Sequence, residues 1–302
     1  MDIPLLDTSL LVLDRIGLAL LLATCISSLW LNPRISHVPI SKTPIYFIDV
    51  SLILLIITTC CVLLLRTAAL ADVPITETYP YLYKVVTTSH FGTTWLGRSS
   101  ALLFMVILWF CIIRQRPITP FYKLLTISTI CIAFFISGAS HAGEQGLWTL
   151  ENITNTLHIL AGCLWGGSVI FYAFIFKQYS THQMEYSETA HRLTAVATIA
   201  LILVLLTAGL NAFYRLNSLN DLWNSDYGIT LLLKAVFVGL MMTIGALNRF
   251  VFIPKVDQYE LHDDNQAKHS QKTFRYALYF DSVVFLIIML IATTLATMSP
   301  GH

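Results

Sequence analysis

An all-α, polytopic membrane protein with eight transmembrane helices is the fold class that the sequence predicts, and three observations carry that reading. Of 302 residues 56% are hydrophobic and 12% charged, against about a quarter charged in a soluble domain. The apolar residues gather in eight windows near the roughly 20 residues that a helix needs to cross a bilayer core of about 30 Å. The connections between these windows place their basic residues predominantly on one side. A water-soluble globular fold is thereby excluded. A net charge of +1 also leaves no bulk field for holding nucleic acid or cationic partners.

Taken in order, the spans are read at 10–31, 47–71, 96–113, 121–139, 153–176, 190–212, 228–253 and 276–298, divided by polar or proline-containing breaks such as Asn32-Pro33-Arg34 and Arg116-Pro117. Together they make residues 1–302 a single transmembrane domain. Before the first span stand Asp2 and Asp7 with no Lys or Arg, so the cationic start of a secretory signal is missing and the first helix is expected to be retained. The six cysteines, Cys25, Cys60, Cys61, Cys111, Cys131 and Cys163, all lie in apolar runs without CxxC spacing, the pattern of buried thiols rather than of a disulfide framework.

Orientation follows from the short connections, because cytoplasmic loops keep Lys and Arg. Twelve basic residues (Arg34, Lys42, Arg114, Arg116, Lys123, Lys177, Arg192, Arg249, Lys255, Lys268, Lys272 and Arg275) fall on one side, and three (Lys84, Arg98 and Arg215) on the other. Both termini are therefore expected outside, in the periplasm of a bacterium. Four of the nine histidines then belong to the outer face: His90 before span 3, His141 after span 4, His158 about a turn and a half into span 5, and His302 at the end. Histidines gathered near one face are what a shallow metal site requires.

Two stretches repeat. Phe91-Gly92-Thr93-Thr94-Trp95-Leu96-Gly97-Arg98 opens span 3 and Tyr227-Gly228-Ile229-Thr230-Leu231-Leu232-Leu233-Lys234 opens span 7, with aromatic, Gly, Thr, Leu and a final cation in common. Spans 2 and 6 end alike in Leu-rich, Thr-Ala sequences, and spans 4 and 8 both exit towards a His. The paired spans lie four helices apart and run the same way, which predicts a tandem four-helix repeat.

The densest motif is Ser137-Gly138-Ala139-Ser140-His141-Ala142-Gly143-Glu144, followed by Asn155-Thr156-Leu157-His158-Ile159-Leu160-Ala161-Gly162-Cys163-Leu164-Trp165-Gly166-Gly167. Two histidines at the mouths of adjacent antiparallel helices can converge, and neutral imidazole suits copper, zinc, iron and nickel. Asn155, a turn before His158, could orient its ring, and Glu144 lies beside His141. Gly162 to Gly166 forms a GxxxG element for close helix packing. Charges within spans are costly and so are candidates by default: Asp14, Arg66, Arg98 and Lys234 in the outer half, Arg249 and Asp281 nearer the inner side. Asp14 is the expected counter-ion of Arg98 and Lys234, and Arg249 could pair with Asp281. Cysteine and methionine sulfur at intermediate depth suits Cu(I), although each such residue also serves as ordinary apolar filling.

These residues resemble the copper resistance protein D family of bacterial inner-membrane proteins, whose pattern reads Gly-His-Ala, a short outer loop, Asp or Asn before His-Leu-Leu-Ala, then Trp-x-Gly-Gly. Phe91-Gly92 to Trp95, Tyr227-Gly228 to Lys234 with Ala246-Leu247-Asn248-Arg249 and Pro254, and Leu295 to Pro300 resemble other parts of it. Three departures stand out: two residues separate His141 from Gly138, Asp281 replaces a usual Glu, and His90 stands where relatives often carry other polar residues. The resemblance implies copper transport across the inner membrane, directed inward, with a copper ion, Cu(I) rather than Cu(II), held by His141 and His158 and with lesser claims for His90 and His302. It also implies a periplasmic partner of the copper resistance protein C type. No catalytic constellation is read, so an enzyme is not expected, and no GxxxxGK[ST] motif points to ATP-driven pumping. The alternatives are a haem b electron carrier, with histidines as axial ligands, and a membrane protein that hands copper to a partner without transporting it.

Overall fold

The computed structural model describes residues 3–31, 43–113, 119–178, 183–216, 218, 220–260 and 264–298, and every regular element among them is helical. Eight helices are long and apolar enough to cross a membrane. They are α1 (Ile3–Leu31), α2 (Thr43–Ala71), α4 (His90–Leu108), α5 (Thr119–Gly138), α6 (Leu150–Gln178), α7 (Gln183–Arg215), α9 (Asp226–Leu247) and α11 (Asp264–Thr297). Short helices α3 (Leu82–Thr88), α8 (Asp221–Asn224) and α10 (Ile253–Glu260) lie in the connections. The eight predicted spans are thus all present.

Two bounds differ from the expected ones for a physical reason. Helix α4 begins at His90 rather than 96, because the Ser89 hydroxyl accepts from Gly92 N at 2.9 Å and caps the helix there. Helix α11 begins at Asp264 rather than 276. Hydropathy reports where lipid can surround a chain, whereas Gln266, Ala267 and Lys268 need only be good helix formers. With 34 residues α11 is about 51 Å long, well beyond a bilayer core of about 30 Å.

Helix α6 is the hub, packed on α1, α5, α7 and α11. Of its membrane window 67% is buried, against 11% for α9, so α9 lies at the rim. Glycines make the hub. A Cβ on Gly167 would overlap the backbone carbonyl of Ala19 on α1, and one on Gly166 the ring of Phe285 on α11. At Gly162 a Cβ would meet nothing within 4 Å, so the close approach belongs to the Gly166-Gly167 pair and not to both ends of the GxxxG element. Around this crossing an aromatic chain closes one end of the bundle: Phe176 stacks at 4.4 Å on Tyr186 and meets Phe274 edge-on at 5.4 Å. Such pairs add about 0.5–1.5 kcal/mol each beyond burial.

Helices α4 and α9 are built alike. Each follows a short helix and is capped by an extended serine, Ser89 or Ser225, whose hydroxyl accepts from Gly92 N at 2.9 Å or Gly228 N at 3.0 Å. Each glycine sits where a Cβ would overlap carbonyls of the preceding short helix, those of Val85 and Val86 or that of Asp221. Each ends in a π-helical turn, Trp109–Ile113 or Asn248–Phe252.

The six cysteines are free, with Cys25 and Cys163 buried but Cys60 and Cys111 exposed on the helix surface. That exposure departs from the expectation of buried thiols. It is explained by the apolar surroundings that lipid offers, in which a thiol behaves as a small hydrophobe whether it faces protein or not.

Candidate functional site at the histidine-bearing end

Helix α5 ends at Gly138, and the chain folds back on that end. A Cβ on Gly143 would overlap the Gly138 backbone, and Gly143 N donates to Ser140 O at 2.9 Å. This return places the 3₁₀ turn His141–Gly143 at the mouth of the bundle, with Ala142 buried and His141 exposed. His141 Nδ1 lies 2.5 Å from Glu144 Oε1. Glu144, named from the sequence as a supporting residue, thus contacts the His141 ring, and His141 Nε2 lies outside that contact. His90, the first residue of α4, places Nε2 2.9 Å from the carbonyl oxygen of the same Gly138, three residues before His141.

Asparagines on α6 fasten this loop. Asn152 donates to Leu147 O at 2.8 Å, while its own carbonyl accepts from Ser137 Oγ at 3.2 Å. Asn155 donates to Ser137 Oγ at 2.9 Å and Ser140 Oγ at 3.4 Å. Asn155 was expected to orient His158. It instead ties the His141 loop to α6, because its side chain points at α5 while His158 points at α7 and α9.

His158 Nδ1 lies 3.0 Å from Thr207 Oγ1 on α7. The Thr207 hydroxyl already donates to Leu203 O at 2.6 Å, so its oxygen accepts and Nδ1 carries the ring proton. Nε2 then presents its lone pair to Lys234 Nζ on α9, 3.5 Å away. Lys234 accordingly faces His158 and not Asp14, the expected counter-ion. The sequence singled out both residues but not their contact, since helices that are apolar all round do not reveal which faces meet.

The remaining intramembrane charges pair as follows. Arg98 and Asp14, both buried, form an ion pair, and Thr58 Oγ1 donates to Asp14 Oδ1 at 2.7 Å. Arg66 lies 3.7 Å from Asp7. Arg249 does not pair with Asp281: its guanidinium donates to Thr198 Oγ1 at 2.7 Å and lies over the Phe250 ring. Asp281 Oδ1 has no hydrogen-bond partner. His302 lies outside the described residues. Among the described residues no three His, Cys, Asp or Glu side chains come together in a group that could hold a metal ion.

Chemically, this end offers an exposed imidazole beside a carboxylate, and a deeper imidazole whose free lone pair faces a lysine. Neutral histidine in that tautomer is a ligand for copper or zinc. A lysine in front of it competes with any metal.

Comparison with known proteins converges on one family. Residues 9–150 match the model of the copper resistance protein D-like N-terminal domain, and residues 187–295 match that of copper resistance protein D. Copper resistance protein D of Pseudomonas syringae pv. tomato is 22% identical over 235 residues, covering 74% of this chain and 73% of the relative. Inner membrane protein YebZ of Escherichia coli (strain K12) is 25% identical over 226 residues, covering 73% of each. With the two models matching in chain order on either side of α6, the first of them including the His141 turn, the chain belongs to the copper resistance protein D family.

Proposed function

We propose that this protein carries copper ions from the periplasm to the cytoplasm across the bacterial inner membrane, as one transmembrane unit with both termini outside. The observation that supports this most directly is that an exposed His141–Glu144 pair, on the turn leading into hub helix α6, lies at the same end of the bundle as His158 of α6, whose Nε2 faces Lys234. Copper, the substrate, meets His141 first. His158 receives it next, as the Lys234 ammonium withdraws from Nε2. Asn155 keeps the two steps in register by holding the His141 loop to α6. Cysteine and methionine sulfur within the spans suits Cu(I), and a periplasmic copper-binding protein of the copper resistance protein C type is the natural donor at this mouth. His90, fixed on Gly138 O, is a positioning residue for the turn rather than a ligand in this geometry.

The test is copper entry into proteoliposomes carrying a trapped Cu(I) indicator. The full-length protein is expected to admit copper, and His141→Ala and His158→Ala to slow entry by about tenfold or more, the range for loss of a metal-site residue. Copper that binds without entering overturns transport in favour of hand-off to a partner. A Soret band in the purified protein overturns it in favour of haem.

A further inference from the structure

At the opposite end of the bundle from His158, helices α6, α7, α9 and α11 enclose a cavity of about 310 Å³. Its walls are apolar, Trp165, Val169, Leu193 and Phe274 among them, with Met242 also on the lining. Into it face two side chains that are almost wholly buried, Asp281 at 2% exposure and Asn248 at 4%. Asp281 Oδ1 and Asn248 Oδ1 each accept no hydrogen bond. Buried acceptors left without partners are costly, by about 1–3 kcal/mol for a neutral group and more for a charge. A cavity that collects two of them is incomplete without a guest.

The guest's chemistry follows from the lining. Thr194 donates to Ala190 O at 2.9 Å and His191 O at 3.0 Å, and Thr198 donates to Thr194 O at 2.7 Å. Their hydroxyl protons are committed, which leaves oxygen lone pairs. Thr198 spends one on Arg249, the exposed residue at the rim. Asn248 reaches the cavity because it opens the π-helical turn Asn248–Phe252, just ahead of Pro254, which has no N–H to return to that turn. Asp281 and Arg249 are the charged side chains on the lining, and Arg249 is held away by Thr198 and Phe250. One carboxylate with carbonyl and hydroxyl oxygens is a hard, singly negative set, matched by a single positive charge.

We propose that this cavity binds one monovalent cation, an alkali ion or a proton, with Asp281 as its charge partner and Asn248 as a second oxygen ligand. The proposal is independent of copper transport and supplies a site through which a cation gradient could drive it.

The experiment uses the full-length protein in nanodiscs of phosphatidylethanolamine and phosphatidylglycerol, first with radiolabelled sodium and rubidium, then by infrared spectroscopy of the carboxyl band across a pH series. Saturable alkali-ion binding that Asp281→Asn abolishes, Asp281→Glu restores and Asn248→Ala weakens about tenfold identifies an alkali ion. Absence of alkali binding, with a protonated-carboxyl band that Asp281→Asn removes, identifies the proton. Alkali-ion binding that survives Asp281→Asn overturns the proposal, as does a carboxyl that stays ionised with no bound ion, the cavity then holding water alone. If Asp281→Asn fails to fold, Asn248→Ala decides: unchanged ion affinity and an unchanged carboxyl band overturn it. None of these readouts involves copper, so their failure leaves the transport reading untouched.

Discussion

Lys234 and a copper ion would compete for the lone pair of His158 Nε2, which makes this contact the most informative in the molecule. Lys234→Met keeps an apolar stem of similar length and removes the ammonium 3.5 Å from Nε2. Copper affinity, measured by competition against a Cu(I) chelator, is expected to rise by about tenfold, roughly 1.4 kcal/mol. His158→Gln should lower it in the Lys234→Met background as well. Unchanged affinity in both variants would show that copper bypasses His158. The Arg98–Asp14 pair obeys a different rule. Asp14→Ala strands a buried guanidinium and should destabilise the protein by about 3–5 kcal/mol, read as a loss of thermal stability in detergent. Asp14→Ala combined with Arg98→Met should recover part of that loss, since the Arg98 guanidinium is then no longer stranded, although Arg15 still loses the nearby Asp14 carboxylate. If the double variant is no more stable than Asp14→Ala, the pair is not what the single change breaks.

At the level of elements, helices α4 and α9 show what the sequence disclosed and what it concealed. Hydropathy located all eight spans, because burial in lipid demands apolar residues on every face. That same uniformity hid how the helices are rotated, so His158, Lys234, Asp14 and Arg98 were legible as residues while only some of their partners were. Asn155, expected to orient His158, donates instead to Ser137 and Ser140, a partnership that spacing along α6 does not disclose. The helix caps are legible in the sequence: Ser89-His90-Phe91-Gly92 and Ser225-Asp226-Tyr227-Gly228 share Ser-x-aromatic-Gly, their serines two residues ahead of the repeat. This shared cap, short preceding helix and closing π turn support the proposed four-helix duplication. Ser89→Ala and Ser225→Ala should each cost about 1 kcal/mol. Gly92→Ala and Gly228→Ala should cost more, because the added methyl meets carbonyls of α3 or α8. Equal, negligible losses for serine and glycine changes would argue against a common construction.

For the molecule as a whole, the direction of copper movement has meaning only once the two ends of the bundle are assigned to compartments. The eight helices alternate, so residues 72–89, 139–149 and 220–225 share one end with the histidine turn, and residues 254–260 lie at the other. Basic residues resist translocation, and the order of connections along the sequence assigns twelve of them to the second side against three to the first. That imbalance favours insertion with the His141 mouth in the periplasm. Exposed positions at both ends make the assignment testable. Tyr79 is 84% exposed on the first, and Lys255 is exposed on the second. In a background with the native cysteines replaced by serine or alanine, Tyr79→Cys should react with a membrane-impermeant maleimide in intact spheroplasts. Lys255→Cys should react only after the membrane is permeabilised. The reverse pattern would place the His141 mouth in the cytoplasm, turn the proposed import into export, and remove the periplasmic donor from the end of the bundle that holds the histidines.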